Sequence, residues 1–262
     1  MSEDDTILSS VEGKIARITL NNPDKLNVLT IERMQRLIEI LDEIEQNPKI
    51  RVIIINAIGE RAFCAGLDTA MLSSGDPNIN TKIVEFGSSL SKKVYYLPQF
   101  VIGCIAAPAV GWGCILAMLC DFRYVLDTAY FKLPEIEIGI YPATGALTLC
   151  MAHFGPSLGN EMLFLSRKLF AEDGARMGFV NGIATTRDDI DNLGNETATK
   201  LSRLNQQVAM YSKINARVLR PIEYGKALDL EAQCFKEMLD LGKEKDWLAQ
   251  YLERFQAMRE TW

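Results

Sequence analysis

Three short stretches combine residue types and spacings that could do chemistry. Two of them, Ala62-Phe63-Cys64-Ala65-Gly66-Leu67-Asp68 and Val110-Gly111-Trp112-Gly113-Cys114-Ile115, put glycine just after runs that read as buried strands. A loop that leaves a strand and enters a helix directs unpaired backbone N–H groups outward, and the helix dipole adds partial positive charge there. Two such loops facing one crevice would supply the converging donors that an enolate or oxyanion needs. Equally, the glycines suit ordinary tight turns, and spacing alone does not separate the two. The third stretch, Leu133-Pro134-Glu135-Ile136-Glu137-Ile138-Gly139, sets acids among apolar residues. A carboxylate in such surroundings has its pKa pushed up and becomes a usable base near neutral pH. The alternative is an exposed strand edge, with Glu135 and Glu137 on one face and the isoleucines on the other.

Other motifs are weaker. Gly155-Pro156-Ser157-Leu158-Gly159 matches the G-x-S-x-G nucleophile elbow, which requires a strand before it and a histidine later in the chain. Here the single histidine, His153, precedes Ser157, and the preceding segment reads as helix. One histidine and no Cys/His cluster also argue against a zinc site, so no metal is expected. Gly111-Trp112-Gly113 begins like a dinucleotide fingerprint, but Leu116 stands where the third glycine belongs.

The elements that must position these residues follow from periodicity. Residues 100–120 (FVIGCIAAPAVGWGCILAMLC) carry no Asp, Glu, Lys or Arg and have the length of a membrane span. Gly103, Pro108, Gly111 and Gly113 would interrupt such a helix repeatedly. The stretch is better read as a buried strand over Val101–Ala106, a turn, and a short helix over Gly113–Leu119. Lys14–Leu20 predicts a strand, and the apolar spacing from Ile31 predicts a helix. Arg51–Ile58 is a continuous β-branched run of the kind found in parallel strands covered on both faces. Asp68 is a helix N-cap candidate. Residues 73–80 read as a mobile turn, followed by a helix over Thr81–Leu97. Phe122–Leu126 and Tyr130–Leu133 read as short strands. Beyond residue 144 the chain turns helical, with helices expected over Asp188–Tyr211, Tyr224–Leu241 and Asp246–Met258. The class is therefore α/β.

With 262 residues, 48% of them hydrophobic and 24% charged, the chain has the makeup of a folded globular protein. A net charge of −6 without any basic block argues against binding nucleic acid through its phosphates. The six cysteines form no C-x-x-C pair and four lie in apolar runs, which suits a reducing compartment. The acidic start MSEDDTILSS is unlike a secretory signal, so the expected location is the cytoplasm.

Taken together, PDKLNVLT (23–30), RVIIINAIGERAFCAGLD (51–68), VIGCIAAPAVGWGCILAMLCDFRYV (101–125) and YFKLPEIEIGIYPATGA (130–146) resemble the crotonase (enoyl-CoA hydratase/isomerase) superfamily, in family order over most of the first 185 residues. AFCAGLD and LPEIEIGI are the specific matches. The resemblance implies a spiral of ββα units over residues 1–200 and a helical region over 201–262 that serves assembly into a homotrimer or homohexamer. It implies an acyl-CoA thioester substrate whose oxygen sits between the backbone N–H groups of Ala65 and Trp112, with Glu135 as the catalytic acid/base. Lys25, Ala62, Ala65, Asp68, Trp112 and Ile115 align with substrate-binding neighbourhoods. No cofactor is implied, since coenzyme A arrives as part of the substrate.

Three departures from the family pattern stand out. The earlier of the two glutamates used by hydratases aligns with Ile115, which cannot exchange a proton. Trp112 replaces the oxyanion glycine, keeping the N–H but adding a bulky ring. A further acidic position of peroxisomal-type and dienoyl isomerases aligns with Ala143. A single glutamate is similar to the mitochondrial type of Δ3,Δ2-enoyl-CoA isomerase, whose double-bond shift needs only one proton carrier. A one-glutamate hydratase or acyl-CoA hydrolase, and a non-catalytic acyl-CoA-binding protein, are the alternatives.

Overall fold

The computed structural model describes residues 6–218 and 223–245. The amino-terminal half runs β1 (Ile7–Glu12), β2 (Ile15–Leu20), a 3-10 turn over Pro23–Lys25, α1 (Ile31–Gln46), β3 (Val52–Ala57), α2 (Thr69–Leu72), α3 (Pro77–Tyr96), β4 (Phe100–Ile105), β5 (Ala109–Val110) and α4 (Trp112–Leu119). It continues with β6 (Phe122–Leu126), β7 (Tyr130–Lys132), α5 (Ala146–Phe164), β8 (Leu169–Phe170), α6 (Ala171–Arg176), β9 (Gly182–Ala184), α7 (Arg187–Ser202), α8 (Gln206–Val218) and α9 (Tyr224–Lys245). One sheet has the order β1-β2-β3-β4-β6-β9, antiparallel at β1/β2 and parallel elsewhere. A smaller sheet has the order β5-β7-β8. The α/β class expected from the sequence is the class observed.

The β-branched run of β3 is explained by burial on both faces. Val52 and Ile54 pack with Ile102, Tyr124 and the α7 residues Ile190 and Ala198. Ile53 and Ile55 face the main core with Val101, Ile105 and the α1 residues Met34, Leu37 and Leu41. Alternate side chains of a strand point to opposite faces, so a strand between two helical layers is apolar throughout. Residues 100–120 form β4, β5 and α4, and every residue of α4 is buried. Among the described residues no helix is long and apolar enough to cross a membrane.

Several boundaries differ from expectation for local reasons. Helix α3 starts at Pro77 rather than Thr81, because Asp76 accepts from the Asn78 amide at 2.8 Å and proline suits a first helical turn. The helix expected over Asp188–Tyr211 is two helices. Arg51 Nη1 donates to the carbonyls of Ser202 and Leu204, ending α7, and Asn205 Oδ1 accepts from the Val208 amide to open α8. Strand β1 was not anticipated. The helix expected over Asp246–Met258 lies outside the described residues.

The carboxyl-terminal helices are joined to the core rather than appended to it. Asp121 accepts from Val101 N in β4, from Lys213 Nζ at 2.6 Å and from Arg217 Nη2 at 2.8 Å, which ties α8 to the sheet. Glu231 of α9 accepts from the amides of Gly145 and Thr148 and so caps the start of α5.

Candidate active site

The two glycine loops meet. Gly66 has φ +95°, and a β-carbon placed on it would lie 3.3 Å from both Trp112 N and Val110 O. Gly111 has φ +57°, and a β-carbon there would lie 3.2 Å from Glu135 Oε1. Both positions thus need the left-handed conformation and the missing side chain together. Parallel bridges Leu29↔Leu67 and Cys64↔Ala109 lock the loops into register. The loop over residues 22–28 is fixed from below by Asn27, whose Nδ2 donates to Ile58 O and Ala62 O.

Backbone hydrogen bonds decide which N–H groups are available. Trp112 opens α4, so its amide has no acceptor one turn back. The Ala65 amide, expected to be the second donor, instead donates to Leu26 O at 3.0 Å. In the same loop Leu29 N donates to Gly66 O and Asp68 N to Leu29 O, which leaves the Leu67 amide without a partner among the described residues. Leu67 and Trp112 are therefore amides of the converging loops that have no backbone acceptor, whereas Ala65 is engaged, and the Ala65 assignment is corrected. The cause is the bridge between Leu29 and Leu67: in extended backbone alternate amides point to opposite sides.

These groups line a cavity of about 300 Å³. Of the residues expected to bind substrate, Lys25, Ala65, Asp68, Trp112 and Ile115 are in its wall, together with Glu135. Ala62 is not: it is buried, and its carbonyl is taken by Asn27. Leu67, Lys132, Tyr141, Thr144 and the α9 residue Phe235 also line the cavity and were missed from sequence. Phe235 and Leu239 cluster with Leu72, Ile83, Val84, Ile138, Ile140 and Ala143, so α9 closes one end of the pocket. A helical region expected to serve packing and assembly thus also contributes Phe235 to the site.

Glu135 is not on an exposed strand edge. Residues 135–139 form a turn, closed by Ile140 N donating to Glu135 O at 2.7 Å, and Glu137 turns outward to pair with Lys132 Nζ at 2.9 Å. The Glu135 Oε2 atom is buried without a hydrogen-bond partner among the described residues. Burial pushes its pKa from 4.5 up to about 7, with its own backbone and Lys132 pulling partly the other way. Ile115 lines the same cavity, which has no second free acid: the remaining lining carboxylate, Asp68, caps α2 by accepting from Ala70 N and Met71 N. The Trp112 ring is among the largest fully buried side chains and belongs to the main core.

The competing motifs are accounted for structurally. Ser157 follows a kink inside α5 at Gly155, without a preceding strand, and His153 Nε2 bonds to Met118 O at 2.8 Å. Among the described residues no group of three or more His, Cys, Asp or Glu is placed to hold a metal.

Comparison with known proteins agrees with the geometry. The sequence model of the family described as Enoyl-CoA hydratase/isomerase matches residues 10–260. The short-chain-enoyl-CoA hydratase of Clostridium acetobutylicum is 25% identical over 248 residues, covering 95% of each chain. The carnitinyl-CoA dehydratase of Escherichia coli is 31% identical over 180 residues, 69% of this chain and 68% of that protein. A crystal structure of an enoyl-CoA hydratase/isomerase from Mycobacterium paratuberculosis superposes with a TM-score of 0.85 at 24% identity, covering 97% of this chain and all of the other, which bears on the fold. An acid in an apolar cavity, two converging free amides and a family match over nearly the whole chain lead to one conclusion: this protein belongs to the enoyl-CoA hydratase/isomerase (crotonase) superfamily of acyl-CoA enzymes.

Proposed function

We propose that this enzyme moves a double bond from C3 to C2 of an enoyl-CoA, with Glu135 as the sole proton carrier. The observation that carries the reading is the cavity wall: Glu135 is its one carboxylate not bound up in a helix cap, and Ile115, which aligns with the earlier glutamate of hydratases, lines the same cavity without an acid group. The thioester oxygen accepts hydrogen bonds from the amides of Leu67 and Trp112. Glu135 removes the C2 proton, the electron pair delocalises through the thioester as a dienolate, and the same carboxyl returns the proton at C4. A base with a pKa of about 7 both takes and releases a proton near neutral pH. Each oxyanion donor contributes about 3 kcal/mol of transition-state stabilisation.

A second reading, hydration of a 2-enoyl-CoA, is favoured by the hydratase name of the C. acetobutylicum relative. Assays of the purified protein on 2-enoyl-CoA and 3-enoyl-CoA side by side separate the two. Isomerisation without hydration is expected, and hydration without a double-bond shift would replace the isomerase assignment. Glu135→Gln should lose nearly all turnover while staying folded; wild-type activity in that variant would remove Glu135 as the base.

The exposed apolar residues Leu204, Val208, Tyr211 and Ile214 on and beside α8 support assembly through that surface into a trimer or hexamer.

A further inference from the structure

Thr144 is out of place in three ways. It is a β-branched residue at φ +57°, a conformation that such residues avoid, and backbone outliers of this kind gather at functional sites. It is only 4% exposed, yet it lines the cavity. Its backbone is clamped in the strained form by Ser91 Oγ, which donates to Thr144 O at 2.6 Å. The methyl group faces α3: a β-carbon built on Gly87 would lie 2.8 Å from it. That leaves the hydroxyl on a side turned away from α3, where it has no hydrogen-bond partner among the described residues.

The other polar groups of the wall are engaged or lie elsewhere. Asp68 caps α2, Lys132 pairs with Glu137, and Tyr141 lies against Cys234. Lys25 is exposed and Thr69 is half-buried at the start of α2. The Trp112 Nε1 atom is buried with the core and Glu135 is the acid that exchanges the proton, whereas the Thr144 hydroxyl is not among the buried atoms that lack a partner. Thr144 follows Ala143, which clusters with Ile138, Ile140 and Phe235 in the apolar part of the wall, surroundings that offer a hydrocarbon everything and a hydroxyl nothing. A pure hydrocarbon chain filling that end would expel water and strand the hydroxyl, at a cost charged to that ligand alone.

We infer that Thr144 is a specificity-determining residue whose hydroxyl hydrogen-bonds an oxygen on the acyl chain, so that the preferred substrate is an acyl-CoA bearing a hydroxyl or oxo group beyond the thioester. This rests on the acyl-CoA reading of the same cavity and adds the substrate class.

Binding of saturated thioesters tests it without requiring turnover. Hexanoyl-CoA is compared by calorimetry with the set of hydroxyhexanoyl-CoA and oxohexanoyl-CoA isomers. At least one isomer should bind the wild-type protein about tenfold more tightly than hexanoyl-CoA. Thr144→Val keeps the shape and should reduce that preference to about twofold or less, while Thr144→Ser keeps the hydroxyl and should retain it. The ratio is taken within each folded variant, so a general loss of stability cancels. No isomer preferred by the wild type, or a preference that survives in Thr144→Val, overturns the inference while leaving the acyl-CoA reading in place. Failure of every thioester to bind overturns both.

Discussion

Replacing Glu135 by Gln removes a buried negative charge while keeping nearly the same shape. Burial raises the Glu135 pKa from 4.5 to about 7, so the native state holds its proton over a range where the unfolded chain has released it. Stability therefore carries no penalty below the unfolded pKa, falls as pH rises between the two values, and carries the full penalty above the folded one. The gap of roughly 2.5 units at about 1.4 kcal/mol each sets the penalty at about 3 kcal/mol, an upper bound because cavity water screens the charge. For a chain of this size that corresponds to roughly 6–12 °C in Tm. Wild type and Glu135→Gln should melt alike at about pH 4 and diverge toward about pH 8, the variant becoming the more stable and losing turnover. Calorimetric scans across that range are the assay. A Tm difference that stays constant with pH would mean that Glu135 titrates normally, and the case for it as a poised base would fail.

Other consequences of the geometry are equally open to measurement. Gly111→Ala places a β-carbon 3.2 Å from Glu135 Oε1 at a left-handed φ; kcat should fall at least tenfold, with a stability loss of about 1–2 kcal/mol by denaturant titration. Burial opposes ionisation of Asp121, but Lys213, Arg217 and the Val101 amide outweigh it and hold the pKa below its usual value. The stabilisation this provides is present above the unfolded pKa and is lost as pH falls through the folded one; Asp121→Ala, leaving two buried cations, should cost about 3–5 kcal/mol near neutral pH. Phe235→Ala opens the end of the cavity closed by α9, so the chain-length optimum in kcat/KM should move to longer acyl groups. Light scattering should give a trimer or hexamer, and substituting Val208 and Tyr211 with charged residues should shift it toward monomer.

The strands that carry the site were legible because burial on both faces leaves an unbroken apolar run, as in Val52–Ala57 and Phe100–Ile105. Glu135 was legible as a candidate for a related reason: charged residues rarely sit among isoleucines without purpose. The start of α3 and the break after α7 were also marked, by Asp76-Pro77 and Asn205, but helical periodicity outweighed those local signals.

From the residue order alone came the α/β class and the two strand–loop–helix units, while the resemblance to the family singled out Glu135 and the isoleucine that stands in for a second acid. Only the tertiary structure decided which amides are free. Whether Ala65 or Leu67 points its N–H into the cavity depends on Leu26 O and on the bridge to Leu29, acceptors nearly forty residues away with no trace in the local pattern. The same holds for Phe235 and Thr144. One reaches the cavity because Glu231 docks α9 on α5, and the other keeps an unfavourable φ because Ser91 holds its carbonyl. Contacts between distant segments allot backbone hydrogen bonds and aim side chains, and a periodicity read along the chain carries neither.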